Sequence, residues 1–421
     1  MDRLMRDLEL RDPIQVAEPA YTDFQLDAAE LAKIQPIMVI RGQVLAETGA
    51  GEIGGAGRQT LKLSNALKRL GVQAKIVAVQ TSRRRIGRRE IEGVPIDELN
   101  VLWWVFERKG LRAIGVYIYM LRLLQYIISH VNEFNIIHVH SAFTGAFISV
   151  LAGGWLRKRV IVKVMNSGYL NDLKLFRTLP RIVGASRMAD YIQRCSRIIA
   201  LNQLAVAELR EMGFATEQIV QIPNGVEVEE IQPKADYALS SPIRLIFAGR
   251  LHKSKGIDKL FHALQLIQQQ RPRLTWLLTL LGVGSLHSEL VRLAEELNIT
   301  SSVHFQGQAQ DVIPFLRKSD IFVLPSRAEG ISNALLEAMA CGLPCVVTDN
   351  AGNRTIISQE QNGLLVPVDD SAALAEVILR CIDDKQLRER LGRTARVTAE
   401  SQYSIESVAR RYIHLYHQLL A

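Results

Sequence analysis

Short β-branched runs alternate with helix-length amphipathic stretches along the whole chain, and no other feature restricts the fold as much. The pattern calls for βα units and parallel sheets, because a parallel crossover needs a long connection, usually a helix. In the first half, strands are expected at "IMVI" (37–40), "AKIVAV" (74–79), "IIHVH" (136–140), "VIVKVM" (160–165), "RIIAL" (197–201) and "IVQI" (219–222). A second set follows at "IRLIFAG" (243–249), "WLLTLL" (276–281), "VHFQG" (303–307), "DIFVLP" (320–325), "PCVVT" (344–348) and "GLLV" (363–366). Between the sets, "IQPKADYALSSP" (231–242) has the Pro, Ser and polar content of a linker.

A chain of 421 residues exceeds one compact core, so the reading is two doubly wound, Rossmann-like α/β domains facing across a cleft. The expected divisions are an N-terminal extension over 1–33, a first domain over 34–235, a second over 236–402 and a closing helix over 403–421. In that helix Ser404 is the expected N-cap, and Ile405, Val408, Tyr412, Ile413 and Tyr416 recur at helical spacing. Ligands of such sheets bind at the carboxyl ends of the strands, which places the site in the cleft.

Charge is unevenly spread. The net charge is +8, but residues 1–30 carry −5, residues 31–230 carry +11 and residues 231–421 carry +2. The basic excess is densest at "RRRIGRR" (83–89), which has no interleaved aromatics to stack bases, so nucleic acid is not expected as a partner. Anionic lipid and a solvated loop after a strand are the two other readings of this run. The start, "MDRLMRDLELRDP", lacks an apolar h-region, so no signal peptide is expected. The four cysteines are read as buried thiols of a reducing compartment, and the expected location is cytoplasmic.

The loop "GAGEIGGAGRQT" (49–60) contains G-x-G-x-x-G, the spacing of a dinucleotide turn. Its position argues against that use. Eight residues separate the end of "IMVI" from Gly49, and the second strand ends in "VQTSRRR" without a carboxylate for a ribose. An NADP reading remains, with Arg83 to Arg85 on a 2′-phosphate. Gly54, Gly55 and Gly57 are better placed, just before a helix that Gly71 ends, where free N–H groups and Arg58 suit a phosphate or sugar hydroxyl.

Three pieces of the second half converge on the cleft. "AGRLHKSKG" (248–256) follows a strand and brings Arg250 and Lys255 as fixed cations for a diphosphate. "SRAEGISNALLEAMACG" (326–342) enters a helix near Ser332 or Asn333, where free amides favour an anion. Glu329 precedes that helix and Glu337 lies about one turn inside, so one carboxylate stands over the bound group and the other reaches a ribose. "HFQGQAQDV" (304–312) ends a strand whose backbone, at Gln306 and Gly307, faces a nucleobase edge. Taken singly, Arg250 and Lys255 also fit solvated positions, and Glu329 and Glu337 surface ion pairs.

Together, "GRLHKSKG" and "PSRAEGISNALLEAMACGLPCVVTDNAGN" resemble the retaining GT-B glycosyltransferases of glycosyltransferase family 4. The resemblance extends to "GEIGGAGRQT", "IIHVHSAFTG", "IPNGVEVEE" and "NGLLVPVDD", and covers about residues 34–421. It implies a GT-B fold whose last helix crosses back to the first domain, and sugar transfer from a nucleoside-diphosphate sugar to a glycan, lipid-linked or small-molecule acceptor. By position, Arg250 and Lys255 would stabilise the leaving diphosphate and Glu329 would hold the transferred sugar. Amides of Gly330, Ile331 and Ser332 would lie beside sugar and β-phosphate, with Asn333 in the same loop, and Glu337 would hold the ribose. His140 matches the histidine near the sugar's C6 hydroxyl, while His138 is read as a core imidazole on the opposite face. Gly54, Gly55 and Arg58 would line the acceptor side.

Two departures stand out. "KVMNSGYLNDL" replaces the usual histidine and glycine after the fourth strand, so an acceptor pocket near Lys163, Asn166 and Ser167 is expected to be built differently. Glu227 stands where an aspartate is usual. No Asp-x-Asp motif is present, so neither a metal nor a cofactor beyond the nucleotide sugar is expected. Residues 101–131 combine Trp103, Trp104 and three tyrosines with Arg108, Lys109, Arg112 and Arg122, which suits an interfacial helix on an anionic membrane as well as a helix covering the sheet. The competing functions are an NADP-dependent oxidoreductase and a non-catalytic sugar-binding relative.

Overall fold

All twelve runs read as strands form strands in the computed structural model, which describes residues 26–40, 55–80, 88–101, 112–179 and 182–421. In the first half these are β1 (Pro36–Val39), β2 (Lys75–Gln80), β5 (Ile136–Val139), β6 (Arg159–Lys163), β7 (Arg197–Ala200) and β8 (Ile219–Gln221). The second half supplies β9 (Ile243–Ala248), β10 (Trp276–Leu281), β11 (Val303–Gly307), β12 (Ile321–Leu324), β13 (Cys345–Thr348) and β14 (Leu364–Val366). Central strands such as β1 and β12 are buried at every position, as parallel strands covered on both faces must be.

A hairpin of β3 (Arg88–Ile91) and β4 (Val94–Asn100) was not anticipated. Its turn is Glu92-Gly93, both at positive φ (51° and 75°), the backbone of a two-residue turn that matches strand twist. Charges in "RREIEG" hid the strand period, and part of the basic run read as a loop is strand β3.

The first sheet has the order β3-β4-β2-β1-β5-β6-β7-β8, with only β3 antiparallel. The second is wholly parallel, in the order β11-β10-β9-β12-β13-β14. Strand order reverses beside β1 in one sheet and beside β9 in the other, and a crevice opens at each such switch point.

Helix Gly55–Arg69 begins earlier than expected: Gly55 and Gly57 lie in its first turn instead of before it, and Gly54 is outside the described residues. Arg83 to Arg85, Trp103, Trp104, Arg108, Lys109 and most of the N-terminal extension are outside them too. Segment 231–242 is no loose tether. Tyr237 is buried, its carbonyl accepts from the Arg388 guanidinium at 3.1 Å, and Lys234 pairs with Asp320 at 3.2 Å. All four cysteines are buried and unpaired.

Helix Lys385–Tyr403 hands over at Ser404 to the closing helix Ile405–Leu420, whose N-cap is the Ser404 hydroxyl, accepting the Ser407 N–H at 3.2 Å. The closing helix returns to the first domain. Its buried Ile405, Val408, Tyr412 and Tyr416 join one core with Met38, Ile136 and Ile161 of the first sheet. The return is pinned by hydrogen bonds between Val226 and the Tyr403–Ile405 backbone, each 2.8 Å.

Candidate active site between the two sheets

After β9 the chain runs through Arg250 into a short turn, Lys253–Lys255, ended by Gly256 at φ 62°. A Cβ on Gly256 would lie 2.1 Å from the Pro325 carbonyl oxygen, so only glycine lets this turn pack on the end of β12. That packing brings Lys255 Nζ to within 2.5 Å of Glu329 Oε1, which also accepts from Ser326 Oγ at 2.7 Å. Neither side chain is more than 15% exposed. Arg250 is exposed beside them, and among the described residues nothing pairs with its guanidinium.

Helix Asn333–Ala340 starts next to this pair. Ser332 caps it by accepting the Leu335 N–H at 3.3 Å, which leaves the first-turn N–H groups of Asn333 and Ala334, both in the cavity wall, for a ligand. Arg250, Lys255, Glu329 and the helix start thus form the wall of a cavity of about 500 Å³, with Gly330, Ile331, Ser332 and Asn333 in the same wall and Glu337 behind them.

The other wall belongs to the first domain and includes Arg58, Lys62, Asn166 and Asn224. The two domains touch directly around the 329–337 segment. A Cβ on Gly330 would stand 2.2 Å from the Met165 carbonyl oxygen. Asn202 Nδ2 donates to Gly330 O at 2.8 Å, Asn224 Nδ2 to Asn333 Oδ1 at 2.9 Å, and Arg58 Nη2 to Ala309 O at 3.2 Å. Lys62 Nζ lies 3.2 Å from Glu337 Oε1 and 3.5 Å from Glu227 Oε2. Burial works to lower the Lys62 ammonium, but the two carboxylates outweigh it and hold it above its ordinary value. Burial raises the Glu227 carboxyl, although Lys62 opposes the shift.

Several expected residues sit elsewhere. Gln306 is exposed and bonded to His304 at 3.0 Å, and the Gly307 carbonyl is taken by the Gly282 N–H at 2.7 Å. The chain turns at Gly307 (φ 76°), so it is Gln308 and Ala309, with Gly282 and Val283 from the end of β10, that wall the cavity. Ser167 is buried behind the wall, its hydroxyl donating to Glu329 O at 3.4 Å.

His140 is buried and outside the cavity wall, its Nε2 without a hydrogen-bond partner among the described residues. Burial holds its imidazole well below the usual range, with His138 and Lys163 adding to the effect. The expected opposition of His138 and His140 is wrong. Their rings are 4.2 Å apart, because residues two apart on a strand share a face. His138 Nδ1 meets the Tyr416 hydroxyl at 2.8 Å, so its partner is a side chain and not the backbone.

Lys62 and Asn224 were missed. Lys62 lies one helical turn after Arg58 and so shares its face, a spacing visible in "RQTLK". Among the described residues no three His, Cys, Asp or Glu side chains gather as a metal site would require, and no helix is long and apolar enough to cross a membrane.

Comparison with known proteins gives a consistent family. Residues 53–230 match the family described as Glycosyltransferase Family 4, and residues 242–384 that described as Glycosyl transferases group 1. The lipopolysaccharide core biosynthesis glycosyltransferase LpsE of Rhizobium meliloti is 32% identical over 250 residues, 56% of this chain and 71% of that protein. The N-acetyl-alpha-D-glucosaminyl L-malate synthase of Bacillus anthracis is 25% identical over 296 residues, 69% of this chain and 76% of that protein. Among solved structures, Anabaena HepE in complex with UDP superposes with a TM-score of 0.69 at 18% identity, covering 91% of this chain and 100% of that one. Sucrose-phosphate synthase from Thermosynechococcus elongatus reaches 0.75 at 22% identity, covering 92% and 99%.

Proposed function

The chain belongs to the group 1 glycosyltransferases of glycosyltransferase family 4, with the GT-B fold, and from that premise we propose a retaining, metal-independent transfer of a sugar from a nucleoside-diphosphate sugar. The observation that carries this reading is the Lys255–Glu329 pair beside Arg250, at the start of helix Asn333–Ala340 and in one cavity with Glu337. Two cations and a helix start face one place. That is what a departing diphosphate needs, and a carboxylate beside it suits sugar hydroxyls.

In the proposed reaction the bond between the anomeric carbon and the β-phosphate oxygen breaks. The acceptor oxygen bonds to the same face of that carbon, and the acceptor's proton passes to the leaving phosphate. Lys255 has three protons and gives only one to Glu329, so it can hold Glu329 and the diphosphate together. Glu337 spends Oε1 on Lys62 and keeps Oε2 for the ribose. HepE was solved with UDP, which makes a uridine nucleotide the first donor to try.

One helix of the first domain supports a lipid-linked acceptor. Helix Arg112–Ser129 buries Tyr119, Leu123 and Ile127 on the first sheet, as a covering helix must. Its outer face still shows Ile114, Leu121 and Ile128, 51%, 65% and 48% exposed and seven residues apart, with Arg122 beside them and Trp155 on the adjacent helix 64% exposed. An apolar stripe with basic neighbours fits the surface of an anionic membrane that presents a lipid-linked acceptor.

Thermal shift with UDP, GDP, ADP and NADPH tests the reading. Stabilisation by one nucleoside diphosphate and none by NADPH is expected; the reverse result would restore the oxidoreductase.

A further inference from the structure

Lys163 ends β6 inside the first domain, fully buried, and no carboxylate among the described residues pairs with it. It is surrounded by the imidazoles of His138 in β5 and of His140 just past its end and, 5.8 Å away, by the Tyr412 ring of the closing helix. Burial pulls its ammonium down to about 7. Its hydrogen-bond partner is Asn224, whose Oδ1 accepts from Nζ at 2.9 Å.

An ammonium can only donate, so this contact settles which end of the Asn224 amide is oxygen. Asn224 Nδ2 therefore faces the other way, and it donates to Asn333 Oδ1 across the cleft at 2.9 Å. The Asn333 amide is fixed in turn. Its oxygen is occupied, and its Nδ2 has no protein partner among the described residues at the first position of helix Asn333–Ala340, in the cavity wall.

We propose that Lys163 is a positioning residue for the donor: through Asn224 it holds Asn333 with its N–H₂ end toward the diphosphate. The proposal rests on the donor site described above. With the amides reversed, the Asn333 oxygen would face phosphate oxygens. An apolar residue at 163 would leave both amides free to turn, whereas a buried ammonium permits one orientation.

Calorimetry at pH 6, where the ammonium persists, tests this with UDP, GDP and ADP and with their parent nucleosides. For the nucleotide that binds, Lys163→Met and Asn333→Ala should each weaken affinity about tenfold, the scale of one hydrogen bond to a charged group. The double variant should lose no more than Asn333→Ala alone, and nucleoside affinity should not move. Asn224→Asp guards against a Lys163→Met protein that fails to fold. It keeps an oxygen on Lys163 but has no proton for Asn333, and the same loss is expected. Unchanged nucleotide affinity in these variants, losses that multiply in the double variant, or equal losses for the nucleoside would overturn the relay. Absence of any nucleotide binding to the unaltered protein would instead sink the donor site itself.

Discussion

Lys62 of the first domain and Glu337 of the second meet at 3.2 Å across the cleft, so the carboxylate proposed to hold the ribose is itself held from the opposite wall. With side chains 24% and 16% exposed, the pair is more shielded than a surface bridge, and Glu227 stands on the same ammonium. In a double-mutant cycle of Lys62→Met and Glu337→Gln, unfolding free energies should show a coupling of about 1 kcal/mol. Additive effects would mean that the pair does not tie the domains.

The buried Lys163 sets a pH dependence of stability. Its ammonium sits at about 7 in the folded protein and near 10.5 when unfolded, so the unfolded state binds more protons between those values. Stability therefore rises with pH across that window. The cost of burying the charge is fully present below pH 7 and fades toward 10.5. The stability of Lys163→Met relative to the parent should fall by about 3 kcal/mol from pH 6 to pH 9, measured by denaturant unfolding. A constant difference would place the lysine in a wetter environment than the structure gives it.

Transfer should survive excess EDTA. In the proposed reaction the charge on the leaving diphosphate would be met by Arg250, Lys255 and the amides at the start of helix Asn333–Ala340, and no carboxylates cluster as a metal site would require among the described residues. Complete loss on chelation, restored by magnesium or manganese, would overturn metal independence.

Membrane docking predicts sedimentation with anionic liposomes that falls as salt rises. Leu121→Glu with Ile128→Glu places charges on the exposed stripe and should abolish it, and changing Arg83, Arg84 and Arg85 to Ser should weaken it. No sedimentation at low salt would point to an acceptor in solution.

What the sequence made legible follows physical signal strength. Buried parallel strands such as β9 and β12 are nearly continuous apolar runs, and their ends placed Arg250 and Lys255 correctly at the cleft. The Glu329 and Glu337 spacing survived because helix phase is local. The hairpin β3–β4 was hidden because its residues are charged, although Glu92-Gly93 marked its turn. Gln308 and Ala309 were missed for a backbone reason: the positive φ of Gly307 turns the chain one residue past the strand. The Lys163–Asn224–Asn333 relay joins residues far apart in the chain and on both domains, and nothing local in any of the three segments announces it.

The most direct measurement is nucleoside diphosphate release from a panel of nucleotide sugars without acceptor, by the unaltered protein and by Lys255→Ala and Glu329→Ala. Loss of a fixed group at the reacting centre should cost roughly 3 kcal/mol, or about 10²-fold in rate, with the fold intact by circular dichroism. The account predicts turnover of at least one nucleotide sugar by the unaltered protein and a loss of that size in both variants. Near-normal turnover in either variant, or no turnover of any nucleotide sugar by a protein that binds NADPH, would contradict it.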